Sequence, residues 1–180
     1  MSATRALRAS VLVTGGARSG KSRYALARAL AHPAPRAFIA TAETRDGEMA
    51  ARIALHRAER GGDFATIEEP LALGDAVARA GRTAAVVVVD CVTVWVANLL
   101  AAAPPDAEVE AAIADVAARI ATSPAPTIVV TNEVGSGIIP FEAETRRYRD
   151  VLGTANQRLA EAIDEVVLMV AGRPLFVPAR

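Results

Sequence analysis

The chain has 180 residues, a formal net charge of zero, 52% apolar residues and only 4% aromatic residues. This length suits one domain, with a core large enough to need no metal or disulfide staple. The composition excludes a disordered chain, a collagen-like repeat and a coiled coil. Because twenty basic residues balance twenty acidic ones, no overall charge attracts nucleic acid or an anionic membrane. Function is therefore expected to lie in a local site.

The sequence predicts no membrane or export segment. The apolar stretch 11–13 is too short for the core of a secretory signal, and Gly15 and Gly16 end it. A longer apolar stretch, 84–103, carries Asp90 near its centre, where a charge is unfavourable in a bilayer. The single cysteine, Cys91, cannot form an internal disulfide and indicates a reducing compartment. We therefore expect a soluble, cytoplasmic protein.

Short β-branched runs alternate along the chain with alanine-rich helical stretches. The predicted strands are 10–14, 37–41, 65–68, 85–90, 127–131 and 165–170. The predicted helices are 21–31, 47–60, 71–80, 93–102, 106–121 and 142–162. This alternation predicts one α/β domain over residues 1–180, with a mostly parallel sheet and helices on both faces. No strand or helix is predicted after residue 170.

A phosphate-binding motif directly follows the first predicted strand. Residues 15–22 fit the P-loop pattern G-x-x-x-x-G-K-[ST] between a strand and a helix. The glycines let backbone N–H groups turn toward a phosphate, and the helix presents its positive dipole end there. The predicted nucleotide-binding residues of this loop are Gly15, Gly16, Ala17, Arg18, Ser19, Gly20, Lys21 and Ser22. The motif predicts a P-loop (RecA-like) NTPase fold.

Two residues of this loop are predicted to act on the phosphates and on Mg²⁺. Lys21 is expected to reach the β- and γ-phosphates, and the Ser22 hydroxyl to bind the metal. The chain has nineteen arginines and only this one lysine. The ammonium group of lysine is a compact charge, and the planar guanidinium of arginine cannot replace it in a narrow phosphate-binding loop. The position of Lys21 in the motif therefore favours a phosphate site over a simple glycine-rich turn.

A second Mg²⁺ ligand is predicted at Asp90. This carboxylate follows the apolar strand residues 85–89 and would reach the sheet edge where open α/β sheets bind ligands. The alternative is that Asp90 caps the next helix, since aspartate is a common cap.

His56 lies on a polar face of the predicted helix 47–60. Glu48, Arg52 and His56 are four residues apart and share that face. A histidine flanked by arginines is a poor metal ligand but a reasonable nucleophile toward phosphorus, because cations neutralise the attacked phosphate. From spacing alone, a solvated helix face is the simpler interpretation. The other histidine, His32, is expected to cap the end of the first helix.

Motifs along almost the whole chain match one known family in order. The matching segments are 13–22, 39–43, 48–60, 68–70, 90–100, 131–140 and 149–157. Together they resemble the bifunctional adenosylcobinamide kinase/adenosylcobinamide-phosphate guanylyltransferase family of cobalamin biosynthesis. Phe64 stands where the family commonly has tryptophan, which blurs base recognition but leaves the chemistry intact.

The resemblance implies a two-step enzyme. ATP or GTP first phosphorylates the aminopropanol hydroxyl of adenosylcobinamide. GTP then guanylylates a histidine, which corresponds to His56, and this GMP passes to the substrate phosphate to give adenosylcobinamide-GDP. The resemblance also matches Thr41 and Glu68 to the nucleotide pocket, and it implies a homotrimer. Arg57 and Arg60, beside His56, are predicted to bind the nucleotide as well.

Two further sets of residues are assigned to the same site. The first would neutralise charge on the reacting phosphates, with an ordinary surface position as the alternative for each member: Arg18, Arg52, Arg57 and Arg60. The second consists of Asn132 and Glu133, which end a predicted strand at the ligand-binding edge. A substrate-binding or gating role is predicted for this pair.

Two other functions fit the P-loop alone. A plain small-molecule kinase would use the phosphate chemistry without taking up GMP on His56. A P-loop switch or RecA-like module would act by binding a partner. The balanced charge is unfavourable for a motor driven by nucleic acid, and no nucleic-acid partner is expected.

Overall fold

The computed structural model describes residues 9–43 and 61–178, and seven strands and five helices lie in these ranges. The strands are β1 Val11–Gly15, β2 Arg36–Ala40, β3 Ala65–Glu68, β4 Val86–Asp90, β5 Thr127–Val130, β6 Glu165–Val170 and β7 Arg173–Val177. The helices are α1 Lys21–Leu30, α2 Leu73–Gly81, α3 Val92–Ala101, α4 Asp106–Ala121 and α5 Ala143–Ala162. The predicted helix 47–60, with His56, Arg52, Arg57 and Arg60, lies outside the described residues.

The strands form one sheet in the order β3-β2-β4-β5-β1-β6-β7. All neighbouring strands are parallel except β6 and β7, which are antiparallel. All six predicted strands occur, with ends displaced by one residue at most. The prediction of a mostly parallel α/β sheet is confirmed.

The structure contains a seventh strand, near the C-terminus, that the sequence analysis did not predict. Residues Arg173–Val177 form β7, which pairs with β6 through a turn at Ala171 and Gly172. Both turn residues have positive φ, 49° and 81°, as a two-residue hairpin turn requires. In the sequence, Pro174 is a signal against a strand at this position. Pro174 has no backbone N–H to donate. Because β7 is an edge strand with no further neighbour among the described strands, this costs the sheet no hydrogen bond to another strand.

Successive side chains of the central strands enter two separate hydrophobic cores. In β4, Val86 and Val88 pack with α1 residues, whereas Val87 and Val89 pack with residues of the other four helices. All four valines are fully buried. Since side chains alternate along a strand, a strand covered on both faces has no polar side, which explains the uninterrupted apolar run. The prediction of helices on both faces is confirmed.

The long apolar stretch 84–103 is divided between two packed elements. Its first half contains β4 and its second half contains α3, with Asp90 and Cys91 between them. No helix within residues 9–43 and 61–178 has both the length and the apolar character needed to cross a membrane.

The parallel register brings the carboxyl ends of the strands to one edge of the sheet. Asp90 pairs with Ala40 of β2 and with Val130 of β5, and Val130 in turn pairs with Val13 of β1. Glu68 of β3 also pairs with Ala40. The P-loop begins two residues beyond Val13, so it shares this edge with both carboxylates.

Candidate functional site

Two glycines are required by the backbone of the P-loop. Gly15 has φ +142°, and a Cβ atom there would lie 2.5 Å from the carbonyl oxygen of Met169. Gly20, which precedes α1, has φ +95°. An L side chain at either position would be strained. Gly16, Ala17 and Arg18 are exposed at the tip, so the loop connects β1 to α1 with its tip open to solvent.

Lys21 crosses the inside of this loop. Its side-chain Nζ donates a hydrogen bond to the Gly16 carbonyl oxygen at 2.6 Å, and the residue is only 9% exposed. Burial lowers the pKa of Lys21, and the nearby negative charge of Asp90 acts in the opposite direction. The single lysine of the chain is therefore held beside a carboxylate at the mouth of the P-loop.

Cys91 is not a second nucleophile in this site. Burial, with the adjacent charge of Asp90, raises the pKa of the Cys91 thiol to about 11. The thiol is therefore neutral at physiological pH, whereas a nucleophilic cysteine must be a thiolate. It follows that Asp90, and not Cys91, carries the negative charge that acts on the pKa of Lys21.

Ser22 and Asp90 supply hard oxygen donors at the same edge. Ser22 is the second residue of α1, and Asp90 ends β4. The N-cap residue of α3 is Cys91, which directly follows Asp90. Within the described ranges, no three His, Cys, Asp or Glu residues form a metal-binding group. A hydroxyl and one carboxylate fit Mg²⁺, which takes its remaining ligands from substrate phosphates and water.

Thr41 ties the ends of β2 and β4 together behind Asp90. Its buried hydroxyl donates to the Cys91 carbonyl oxygen at 2.8 Å and accepts from the Cys91 N–H at 2.9 Å. Asn98 on α3 donates from Nδ2 to the Thr41 carbonyl oxygen at 2.8 Å. These contacts give Thr41 a role in positioning Asp90. A direct contact between Thr41 and the nucleotide stays a prediction.

Thr41→Val is expected to lower stability and weaken Mg²⁺-dependent activity. Valine has a similar shape but leaves the Cys91 N–H and carbonyl oxygen without their partner, which costs about 1–3 kcal/mol for each buried polar group. Thermal unfolding and the Mg²⁺ dependence of turnover measure the two effects. Thr41→Ser keeps the hydroxyl and is the matched control. Wild-type values for both properties in Thr41→Val would exclude this positioning role.

Asn132 and Glu133 lie directly beside the P-loop. The Glu133 N–H donates to the Gly15 carbonyl oxygen at 3.2 Å. The Asn132 N–H donates to the Thr93 hydroxyl at 2.9 Å, and Asn156 Nδ2 donates to the Asn132 carbonyl oxygen at 3.1 Å. Asn132 and Glu133 therefore lie at the ligand-binding edge of the sheet, as the sequence analysis predicted. Thr93 and Asn156 fix Asn132 there, although the sequence showed them only as parts of a family pattern.

The hairpin between β6 and β7 supports the P-loop from the other side. The Gly172 N–H donates to the Ser19 carbonyl oxygen at 3.0 Å. Sequence reasoning missed this contact because it missed β7. The available signal was the Ala-Gly pair between two apolar runs, which is typical of a hairpin turn.

The structure brings most of the predicted site residues to one edge. The P-loop residues 15–22, Thr41, Glu68 and Asp90 lie there, Glu68 at the exposed end of β3. Four predicted residues lie outside the described ranges: Arg52, His56, Arg57 and Arg60. The described part therefore contains the elements of a phosphate-binding site, and the predicted nucleophile is not among them.

Solved structures with little sequence similarity share this architecture. The flagellar accessory protein FlaH from Methanocaldococcus jannaschii is 13% identical, with a TM-score of 0.50 over 92% of this chain and 74% of that one. A Pyrococcus horikoshii OT3 protein is 8% identical, with a TM-score of 0.55 over 94% of this chain and 86% of that one. These likenesses concern the fold alone and agree with the predicted α/β P-loop fold.

Sequence comparisons identify the family. Residues 11–177 match the family model described as cobinamide kinase/cobinamide phosphate guanyltransferase. The bifunctional adenosylcobalamin biosynthesis protein CobP of Pseudomonas aeruginosa is 41% identical over 91% of this chain and 94% of its own length. The corresponding CobU proteins of Escherichia coli and Salmonella typhimurium are 39% and 41% identical, each over 90% of this chain and 96% of its own length. The chain therefore belongs to the cobinamide kinase/cobinamide phosphate guanyltransferase family and is a bifunctional enzyme of cobalamin biosynthesis.

Proposed function

We propose that the chain phosphorylates the aminopropanol hydroxyl of adenosylcobinamide with ATP or GTP, and then transfers GMP from GTP through His56 to give adenosylcobinamide-GDP. The observation that carries the phosphoryl-transfer step is the placement of Lys21. The only lysine of the chain is buried in the P-loop, beside Asp90, at the edge where parallel sheets bind ligands. The histidine step is supported by the family resemblance of residues 48–60.

In the first step, the acceptor hydroxyl oxygen bonds to the γ-phosphorus while the bond from that phosphorus to the β,γ-bridging oxygen breaks. The hydroxyl proton is released, and the nucleoside diphosphate leaves. Such a transfer depends mainly on positioning and on charge neutralisation. The loop N–H groups and the start of α1 bind the phosphates, and Lys21 turns from Gly16 toward the β- and γ-oxygens.

The metal site of this proposal consists of the Ser22 hydroxyl and the Asp90 carboxylate. When Mg²⁺ is bound, it neutralises the negative charge that the β- and γ-phosphates carry. Thr41 and Asn98 hold the backbone that carries Asp90 through the hydrogen bonds described above. Glu68, at the exposed end of β3, completes the proposed nucleotide pocket.

In the second step, a neutral imidazole nitrogen of His56 bonds to the α-phosphorus of GTP and pyrophosphate leaves. An oxygen of the substrate phosphate then attacks the same phosphorus, and the bond to histidine breaks. An unperturbed histidine has a pKa of about 6.5, so the neutral form is available at neutral pH. Positive charge near the α-phosphate would come from Arg18, Arg52, Arg57 and Arg60.

The proposal also covers the domain organisation, the cellular location and the oligomeric state of the protein. It includes a single domain over residues 1–180, a cytoplasmic location and a homotrimer. The single cysteine supports a reducing compartment. The trimer is supported only by the family resemblance.

Product analysis by mass spectrometry tests the proposed function. Protein with cobinamide and ATP is expected to give cobinamide phosphate, and added GTP is expected to convert this phosphate to cobinamide-GDP. Cobinamide phosphate that persists with GTP present would instead identify a plain small-molecule kinase. No phosphorylated product under either condition would refute both steps.

A further inference from the structure

An uncharged loop with exposed apolar side chains follows β5 at the edge that carries the P-loop. We call residues 134–141 the apolar lip. Its large apolar side chains are Val134, Ile138, Ile139 and Phe141, which are 38%, 96%, 70% and 93% exposed. The whole loop lacks charged residues, in a chain with 22% charged residues. A group of exposed apolar side chains of this kind marks a binding surface.

Hydrogen bonds hold the apolar lip at both ends. Immediately before it, the Glu133 N–H donates to the Gly15 carbonyl oxygen of the P-loop at 3.2 Å. At its far end, the Arg146 guanidinium on α5 donates to the carbonyl oxygens of Pro140, at 3.0 Å, and of Phe141, at 2.5 Å. The start of the loop is thereby held beside the P-loop and its far end against α5, while its large apolar side chains are exposed.

We propose that the apolar lip binds the corrin macrocycle of the acceptor substrate while the aminopropanol arm reaches into the P-loop. This inference rests on the proposed function, because that function supplies the acceptor. The macrocycle has a rim of methyl groups and uncharged amide side chains. Its apolar parts gain free energy by leaving water against an apolar, uncharged surface.

The position of the apolar lip suits an acceptor whose reacting hydroxyl stands on an arm outside the ring. The ring is too large to enter a loop that already holds a triphosphate, so it must bind beside that loop. Phe141 lies eight residues after Glu133, and a chain of this length reaches at most about 29 Å from the P-loop contact. The apolar lip is therefore an exposed apolar surface within reach of the P-loop.

The described residues contain a second exposed apolar group that provides a matched control. Val170, Leu175, Phe176 and Val177 lie on β6 and β7, at the edge of the sheet, and Phe176 is 60% exposed. Two strands, β1 and β6, lie between β7 and β5, the strand that leads into the apolar lip. A polar substitution at Phe176 thus removes similar exposed apolar surface away from the proposed contact.

The test compares the double variant Ile138→Ser/Phe141→Ser with the wild type in the kinase reaction. Loss of two apolar contacts is expected to raise the KM for cobinamide at least about tenfold, equivalent to about 1.4 kcal/mol. The KM for ATP, the kcat and the mass in solution should stay at wild-type values. Phe176→Ser should match the wild type throughout, and Ile138→Leu/Phe141→Leu, which keeps apolar side chains at both positions, should raise the KM for cobinamide much less than the serine variant.

Two results would overturn the inference. An unchanged KM for cobinamide in the serine variant would show that the macrocycle does not contact the apolar lip. A smaller mass in solution for that variant would instead identify the apolar lip as an interface between copies of this chain. In both cases, wild-type turnover of cobinamide would leave the proposed function standing. Absence of cobinamide phosphorylation by the wild type would refute the proposed function itself.

Discussion

Lys21→Met is expected to abolish both phosphoryl transfer and guanylyl transfer while leaving the protein folded. In the proposed function both reactions use a triphosphate held by the P-loop, and the Lys21 ammonium group lies inside this loop. Removing one preorganised group that stabilises transition-state charge typically costs about 10²–10³-fold in kcat. The measurement is turnover of cobinamide with ATP and with GTP, by product mass, at saturating nucleotide. Near-normal turnover would refute the phosphate site.

The stability of Lys21→Met separates a functional role from a structural one. Burial lowers the pKa of Lys21 in the folded chain, so the unfolded chain binds more protons between the folded pKa and the ordinary value of 10.5. Stability therefore rises with pH through that window, and below it the buried ammonium destabilises the fold without ligand. Methionine keeps an apolar stem without the charge. We expect the Tm of Lys21→Met to equal or exceed that of the wild type, and a large decrease would make Lys21 structural.

Two matched variants complete this experiment. Lys21→Arg keeps the charge but introduces a planar, bulkier guanidinium into the loop, so it is expected to lose most activity. Arg79→Met removes a cation from the surface of α2, where the Arg79 side chain is 53% exposed and its nitrogen lies 3.9 Å from Glu69. Because an exposed pair of this kind contributes little, activity and Tm should stay near wild type. Full activity of Lys21→Arg would show that charge alone is sufficient.

Local sequence patterns predicted most of the fold because its central strands are buried on both faces. An uninterrupted apolar run such as 86–89 indicates a buried strand when glycine-rich and alanine-rich stretches flank it. The P-loop was likewise predictable, because its glycines, lysine and serine have a fixed order. The edge strand β7 was not, because it is exposed along its length and contains Pro174. Its pairing with β6 depends on position in the sheet and leaves only a turn signal in the sequence.

The contacts that support the site were beyond local reasoning. Thr41 and Cys91 are 50 residues apart, and Asn132 lies 39 residues from Thr93. No spacing rule relates such residues, since the strand order alone brings them together. A sequence pattern can therefore identify which groups perform the chemistry, but the groups that hold their backbones emerge only with the topology.

His56→Ala is expected to lose guanylyl transfer and to keep the kinase step. With GTP labelled at the α-phosphate, the wild-type chain should become labelled and His56→Ala should not. Guanylyl transfer should fall by at least about 10³-fold, comparable to removal of a covalent nucleophile in other enzymes. Formation of cobinamide phosphate should persist, because phosphoryl transfer at the P-loop needs no covalent intermediate. Equal loss of both activities would argue for a structural role of His56 or for its use in both steps.

His32 provides the matched control, because the chain contains only two histidines. His32 follows α1, is 5% exposed, and its N–H donates to the Ala29 carbonyl oxygen at 3.0 Å. Burial lowers the pKa of His32, and the charges of Arg28 and Arg36 lower it further, so this imidazole is neutral at physiological pH. Neutrality alone would allow it to attack phosphorus, but its burial prevents approach of a nucleotide. His32→Gln should therefore retain the label. If the label persists in His56→Ala and disappears in His32→Gln, the nucleophile is His32 and not His56.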